Sequence, residues 1–207
     1  MLRKGMMDPA QEARALEVID RNAQVLTDLV GELLDTSRVI TGKIRLQMSD
    51  TSLSALAHES AENIGPSVNA KGLVFETRIE PNVMIFGDAD RIRQIMWNLL
   101  TNAIKFTPSG GRIELAVGTE ARHGYIMVRD SGIGVHPDAL PHIFKRFWQA
   151  ESAKGREYAG LGLGLALSRH LTELHGGSIE AKSSGEGTGA EFRVTLPLRV
   201  AEVASTS

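Results

Sequence analysis

At 207 residues, 42% of them apolar, the chain has room for one α/β domain of ordinary size plus a helical arm, and no second globular domain fits. A formal net charge of −2 gives no electrostatic case for binding nucleic acid, and zero cysteines exclude both a disulfide framework and a thiolate metal site, which fits a cytoplasmic protein. No run approaches the roughly twenty apolar residues of a membrane span, and the N-terminus lacks a signal-peptide pattern; no direct membrane contact is expected of this segment, and an anchor of a membrane-bound parent would lie upstream.

In chain order, Leu16, Ile19, Ala23, Leu26, Val30 and Leu33 step alternately by three and four, the heptad seam of a helix over 10–40. At 1.5 Å per residue this helix would run about 45 Å. Val25 and Leu29 widen its apolar stripe to what a four-helix bundle needs, and such a helix cannot stand alone in water. A strand near 44–48, a helix over about 52–70 and strands near 73–79 and 83–87 are predicted next. A helix over 88–106, strands at 112–118 and 124–130 and a short helix near 138–146 follow. A glycine-led helix to 175 and strands near 178–183 and 190–197 complete the pattern. It predicts an α/β fold: a two-layer α/β sandwich with a mixed sheet and helices on one face, preceded by the long N-terminal helix. The expected divisions are 1–42 for the arm, 43–198 for the α/β domain and 199–207 for a frayed tail.

Three blocks carry chemistry. Asn98, Asn102 and Lys105 fall within a narrow sector of the 88–106 helix, so two carboxamides and an ammonium share one space. An amide oxygen is a hard ligand for magnesium, an amide nitrogen donates to phosphate, and the ammonium is a compact positive charge. Asp130 ends the apolar run Tyr125–Val128, placing a carboxylate at a strand terminus where it can accept an adenine amine, and Gly132 and Gly134 let backbone approach a flat ring. Taken alone, Asp-x-Gly-x-Gly is also a common turn. The third block, Gly160-Leu161-Gly162-Leu163-Gly164, opens a helix with Leu165, Leu167, Leu171 and Leu174, and its unpaired N–H groups make an anion site for phosphates.

In this order and spacing the blocks resemble the catalytic ATP-binding domain of sensor histidine kinases, within the gyrase-like ATPase superfamily. Residues 91–111 are similar to that family's Asn box, Asp130–Gly134 to its first glycine box, Ile143–Trp148 to its Phe box and Gly160–Leu165 to its second glycine box. Gly187-Thr188-Gly189 fits the closing one, and the likeness covers nearly the whole chain. Lys145, where the family usually has an acid, and Ala190, where Ser or Thr is common, depart from the pattern. The resemblance implies ATP and magnesium as ligands. It implies Asn98 on the metal, Asn102 and Lys105 on phosphates, and Asp130 on adenine, with Gly132, Gly134, Phe147, Gly160, Gly162, Leu163 and Gly164 shaping the pocket. It further implies a mobile lid between Phe147 and Gly160, including Lys154, Gly155 and Arg156.

Gln94, one turn before Asn98, separates branches of that superfamily. Water-using relatives resemble one another in carrying a glutamate there as base; an amide cannot take a proton, so phosphotransfer is expected over hydrolysis. None of the six histidines sits in the family's acceptor pattern of His-acid-hydrophobic-Arg-x-Pro. His58-Glu59 comes nearest, but Ser60-Ala61 follow; His123, His136, His142 and His170 read as structural, and His175 before Gly176-Gly177 reads as a helix C-terminus favoured by the dipole. The arm, ending near Thr41-Gly42-Lys43, resembles the second helix of the family's dimerisation hairpin, with Met1 to Pro9 as the turn. The expected protein is thus the catalytic part of a longer, homodimeric kinase. It would pass the ATP γ-phosphoryl to an acceptor histidine outside this chain, with a response regulator downstream. The alternatives are a nucleotide-binding dimerisation scaffold and an ATPase of the same superfamily.

Overall fold

The computed structural model describes residues 8, 14–16, 19, 31, 45–149 and 161–199. The chain divides into two units, Met1–Lys43 and Ile44–Ser207. In the first, residues 14–16, 19 and 31 are helical, inside the predicted arm, and the seam residues Leu16 and Ile19 are 55% and 53% exposed. The other seam and stripe residues, the expected turn before Pro9 (Asp8 apart) and Thr41-Gly42-Lys43 lie outside the described residues, as does the tail after Arg199.

The second unit runs β1 (Ser49–Ser52), α1 (Leu53–Ala70), β2 (Val74–Ile79), β3 (Met84–Gly87), α2 (Ala89–Phe106), β4 (Arg112–Glu120), β5 (His123–Asp130), α3 (Gly164–Leu174), β6 (Ser178–Lys182) and β7 (Ala190–Pro197). Five strands form a mixed sheet in the order β2-β4-β5-β7-β6. Only β2 and β4 pair in parallel, joined by a crossover through α2; the other neighbours are antiparallel. β1 and β3 make a separate two-stranded sheet, with Ser49 opposite Gly87.

The helices cover one face of the large sheet, as the pattern predicted. α2 turns Ile92, Ile95, Met96, Leu99 and Leu100 inward, all fully buried, as are Ile113 and Leu115 of β4 and Ile126 and Val128 of β5. Each such side chain contributes about 1.5–3 kcal/mol by leaving water, so the helix bearing the candidate residues is among the most firmly seated elements. The opposite face is charged. Arg78 pairs with Glu114 at 3.0 Å, Arg129 with Glu191, and Arg193 lies over the Tyr125 ring at 4.1 Å. In these pairs an exposed guanidinium covers a carboxylate that is itself largely buried, so the face stays polar.

Two predicted elements are corrected. No strand occupies 45–48; the strand is Ser49–Ser52, whose polar sequence has no apolar alternation and which exists because it pairs with β3. The segment 138–146 is a chain of turns rather than a helix. Pro141 has no N–H to give and restricts Leu140, and most of the local bonds are short-range, as from His142 N to Ala139 O at 2.8 Å and from Lys145 N to His142 O at 2.8 Å.

Candidate functional site

α2 is tied at both ends. At its start, the Asp88 carboxylate caps the helix by accepting from Asp90 N at 3.1 Å and Arg91 N at 3.2 Å, and its second oxygen accepts from Gln47 N at 2.8 Å. The Asp88 N–H donates to Nε2 of His175 at 3.0 Å, while Nδ1 of that ring lies 2.7 Å from Leu171 O. A carbonyl only accepts, so Nδ1 carries the proton and His175 is a neutral, buried brace between α3 and α2. His175 is the C-cap of α3 and Gly176 follows at φ +72°, as the sequence suggested; the brace to Asp88 is the part it did not show.

At the other end all four last carbonyls of α2 have partners. Ala103 O accepts from Thr107 N at 3.1 Å and Thr107 Oγ1 at 2.6 Å. Ile104 O and Lys105 O accept from Lys71 Nζ at 2.5 and 2.9 Å. Phe106 O accepts from Ile133 N at 3.1 Å. The last bond ties the Asp130–Gly134 loop directly to the helix bearing Asn98, Asn102 and Lys105. Asn102 and Lys105 are half-buried, and Lys105 Nζ sits 4.9 Å from the Phe106 ring centre.

The Asn98 carboxamide meets the start of α3: Nδ2 donates to Gly164 O at 3.2 Å and lies 3.3 Å from Ser168 Oγ. Because the Gly164 carbonyl can only accept, the nitrogen faces it, and the hard oxygen donor Oδ1 lies beside the start of α3, 3.8 Å from where a Cβ on Gly164 would stand. Among the described residues no group of three His, Asp or Glu side chains could hold a metal. The donor set therefore fits magnesium held by one amide oxygen with phosphates and waters, and does not fit an all-protein cage.

Asp130, 8% exposed, ends β5 opposite Ala190 of β7. Burial pushes its carboxyl above the ordinary range, opposed by backbone N–H groups of Gly132, at 2.8 Å, and Ala190. The loop glycines have a reason beyond ligand approach: they pack against the protein's own backbone. A Cβ on Gly132 would lie 2.4 Å from Phe106 O, and one on Gly134, at φ +71°, 2.1 Å from Gly185 O. Gly187 N and Gly189 N donate to Ile133 O and Gly132 O at 2.7 and 3.1 Å, and Ser183 Oγ accepts from Val135 N at 3.0 Å.

At the far side, Phe147 N donates to Gly162 O at 3.0 Å, and a Cβ on Gly162, at φ +68°, would meet Trp148 O at 2.6 Å. Phe147 itself has φ 60° and is 61% exposed. Leu163 is buried to 1% exposure, so only its backbone can face a ligand, and no side chain caps the helix that begins at Gly164. Among the described residues no side chain competes with an anion for its N-terminal N–H groups. Gly160 and the expected lid residues Lys154, Gly155 and Arg156 lie outside the described residues.

Sequence reading missed Lys71, Ser168 and Ser183. Lys71 precedes Gly72 at the end of α1, a signal that pointed to its own helix, whereas its ammonium serves α2. Nothing local marks the reach of Ser168 to Asn98 or of Ser183 to Val135, which packing sets.

The geometry agrees with what comparison shows. Residues 87–200 match the family model described as histidine kinase-, DNA gyrase B- and HSP90-like ATPase. Over 96% of its length the chain is 33% identical to the autoinducer 2 sensor kinase/phosphatase LuxQ of Vibrio harveyi, covering 24% of that protein. Over 88% of its length it is 35% identical to the circadian input-output histidine kinase CikA of Synechococcus elongatus, again covering 24%. The chain therefore spans about a quarter of the length of these relatives. Among solved structures, full-length ShkA in complex with AMPPNP superposes with a TM-score of 0.78 at 28% identity, over 96% of this chain and 41% of that one. The Acinetobacter baumannii histidine kinase AdeS, at 20% identity and a TM-score of 0.73 over 96% of this chain and 90% of that one, shares the fold. With more than half of its residues inside the matched region, the chain belongs to the histidine kinase-, DNA gyrase B- and HSP90-like ATPase family.

Proposed function

We propose that the chain is the ATP-binding catalytic part of a two-component sensor histidine kinase, moving the γ-phosphoryl of ATP to a histidine imidazole on a dimerisation domain. The observation that carries this reading is the convergence on α2: Asn98 against Gly164 at the head of α3, and Phe106 O bonded to Ile133 in the loop that begins at Asp130. Asp130 accepts the adenine amine, and Asn102, Lys105 and the N–H groups of α3 take the phosphates. Asn98 would hold magnesium, which would supply charge neutralisation on the phosphates. The imidazole nitrogen attacks phosphorus, the bond to the β–γ bridging oxygen breaks, and ADP leaves with the electron pair. Positioning and charge stabilisation supply most of the acceleration.

Gln94 supports transfer to a residue rather than to water. Its amide oxygen accepts from Arg91 Nη1 at 2.8 Å, and an amide cannot act as a proton acceptor for a nucleophilic water. His58 lies exposed on α1 without the acceptor pattern, and His175 is a buried brace, so the acceptor is supplied from elsewhere. On this reading the segment 1–42 belongs to the dimerisation domain, the parent works as a cytoplasmic homodimer, and a response regulator receives the phosphoryl group. In support of dimerisation, the seam residues Leu16 and Ile19 are exposed.

Incubation of the purified chain with γ-labelled ATP and magnesium, with and without a separately made dimerisation domain carrying an acceptor histidine, tests the reading. Label is expected on the added domain alone. Free phosphate from the chain by itself would instead make it a water-using ATPase, and nucleotide binding without transfer to any of several dimerisation domains would make it a scaffold.

A further inference from the structure

We infer that Lys71, outside the three motifs, is a positioning residue for the phosphate end of the site; the inference rests on the nucleotide-binding reading above. Lys71 ends α1, where its N–H bonds Ser67 O at 3.2 Å, and the chain reverses at Gly72 with φ +64°. Gly72 O in turn accepts from Gly110 N at 3.0 Å, so the turn after α1 is tied to the turn after α2. The backbone of Lys71 is thus held in fixed relation to the end of α2 before its side chain does anything.

From there its half-buried ammonium reaches two carbonyls of α2, Ile104 O at 2.5 Å and Lys105 O at 2.9 Å, 33 and 34 residues away in sequence. A helix C-terminus carries a partial negative charge and attracts the nearest cation. In α2 the basic residue of the last turn is Lys105, whose ammonium is wanted at the phosphates. Lys71 satisfies the carbonyls and neutralises the helix end, so the Lys105 ammonium, 4.9 Å from the Phe106 ring centre, is not needed as their donor. The next carbonyl, Phe106 O, holds Ile133 N, and Thr107 closes on Ala103 O, so the last turn is otherwise braced by neutral donors. Lys71 is the one charged member of that set. Removing its charge is therefore expected to act on phosphate recognition more than on base recognition.

The test uses the full chain and its Lys71→Met variant, which keeps the stem and loses the charge. ATP and adenosine are titrated against each well below its unfolding temperature. ATP affinity is expected to fall about tenfold, the scale of one charge-assisted hydrogen bond, with adenosine affinity nearly unchanged. Lys71→Arg should recover most of the loss. If Lys71→Met does not fold, Lys71→Gln, which keeps one neutral donor, is read in the same way. Unchanged ATP affinity, or equal losses for ATP and adenosine, would overturn the inference and leave Lys71 a structural cap. Absence of ATP binding by the unaltered chain would instead remove the nucleotide reading itself.

Discussion

The base end and the phosphate end of the candidate site are built differently. Around Asp130 the chain is fastened to itself by main-chain bonds: Ser131 N to Arg112 O, Ile133 N to Phe106 O, Gly187 N to Ile133 O and Gly189 N to Gly132 O, all between 2.7 and 3.1 Å. Three segments distant in sequence meet there, and Gly132, Gly134 and Gly189 leave no room for a Cβ. Around Asn98 the contacts are looser, 3.2 Å to Gly164 O and 3.3 Å to Ser168 Oγ, and Phe147 joins Gly162 through a single backbone bond. On the proposed reading, base recognition is preorganised in the backbone, and phosphate handling combines the N–H groups of α3 with side chains that can move as the ligand is bound and released.

The largest effect should come from disturbing the base end. A Cβ on Gly189 would lie 2.0 Å from Asp130 O, at φ +74°, so Gly189→Ala meets a steric and a conformational penalty together. Urea denaturation should show a loss of roughly 3 kcal/mol. Gly110→Ala sharpens the comparison, because Gly110 has φ +81° but open space around it. That variant should lose only about 1 kcal/mol, the conformational part alone. Equal losses at the two sites would mean that the close approach of the 183–189 loop to Asp130 is not maintained in solution.

At the phosphate end, Asn98→Ala should leave folding nearly intact and remove the magnesium-dependent part of ATP affinity, about 2 kcal/mol or thirtyfold. Titration with ATP in magnesium and in chelator reads this, and a variant that still responds to magnesium would strike Asn98 from the metal site. Asp130→Asn should cost about tenfold in affinity by exchanging a charged acceptor for a neutral one. It also carries a sign. Burial raises the Asp130 pKa, so the folded protein holds that proton to higher pH than the unfolded chain does, and its contribution to stability falls as pH rises through the raised value. The unliganded Asn variant should therefore gain on the unaltered chain as pH rises from about 3.8 through that window, and hold a constant advantage above it. Adenine affinity of the unaltered chain should rise over the same window, as the carboxylate becomes a pure acceptor.

Much of this was legible because the periodic signals are local. The helix predicted over 88–106 is observed as Ala89–Phe106, and the strands near 112–118 and 124–130 as Arg112–Glu120 and His123–Asp130. The glycine spacing identified the loops but not why each glycine is required, since a neighbour such as Gly185 O lies some fifty residues from Gly134. What failed was either non-periodic or non-local. Ser49–Ser52 is polar and is a strand only because β3 lies beside it, and the turns at 138–146 follow from proline placement that a helical count of apolar residues overlooks. Lys71 and His175 act across 33 and 87 positions, and no window along the chain can contain such contacts.

The smallest effect concerns Phe147, where sequence suggested a ligand contact and the structure adds backbone strain. Its φ of 60° is a region that side chains other than glycine enter at a cost of about 1–2 kcal/mol, and with 61% of its surface exposed it recovers little of that by burial. Phe147→Gly and Phe147→Ala both delete the ring, so they should lose any stacking on nucleotide equally. They differ in that glycine accepts the left-handed backbone and alanine does not. Against that gain stands the greater freedom of glycine in the unfolded chain, which takes back about 0.5–1 kcal/mol. The glycine variant should accordingly unfold at higher denaturant than the alanine variant by about 0.5 kcal/mol, while their ATP affinities agree. A glycine variant no more stable than the alanine one would mean that the bond from Phe147 N to Gly162 O does not hold this backbone in place without ligand, and the phosphate end would be looser still than its contacts suggest.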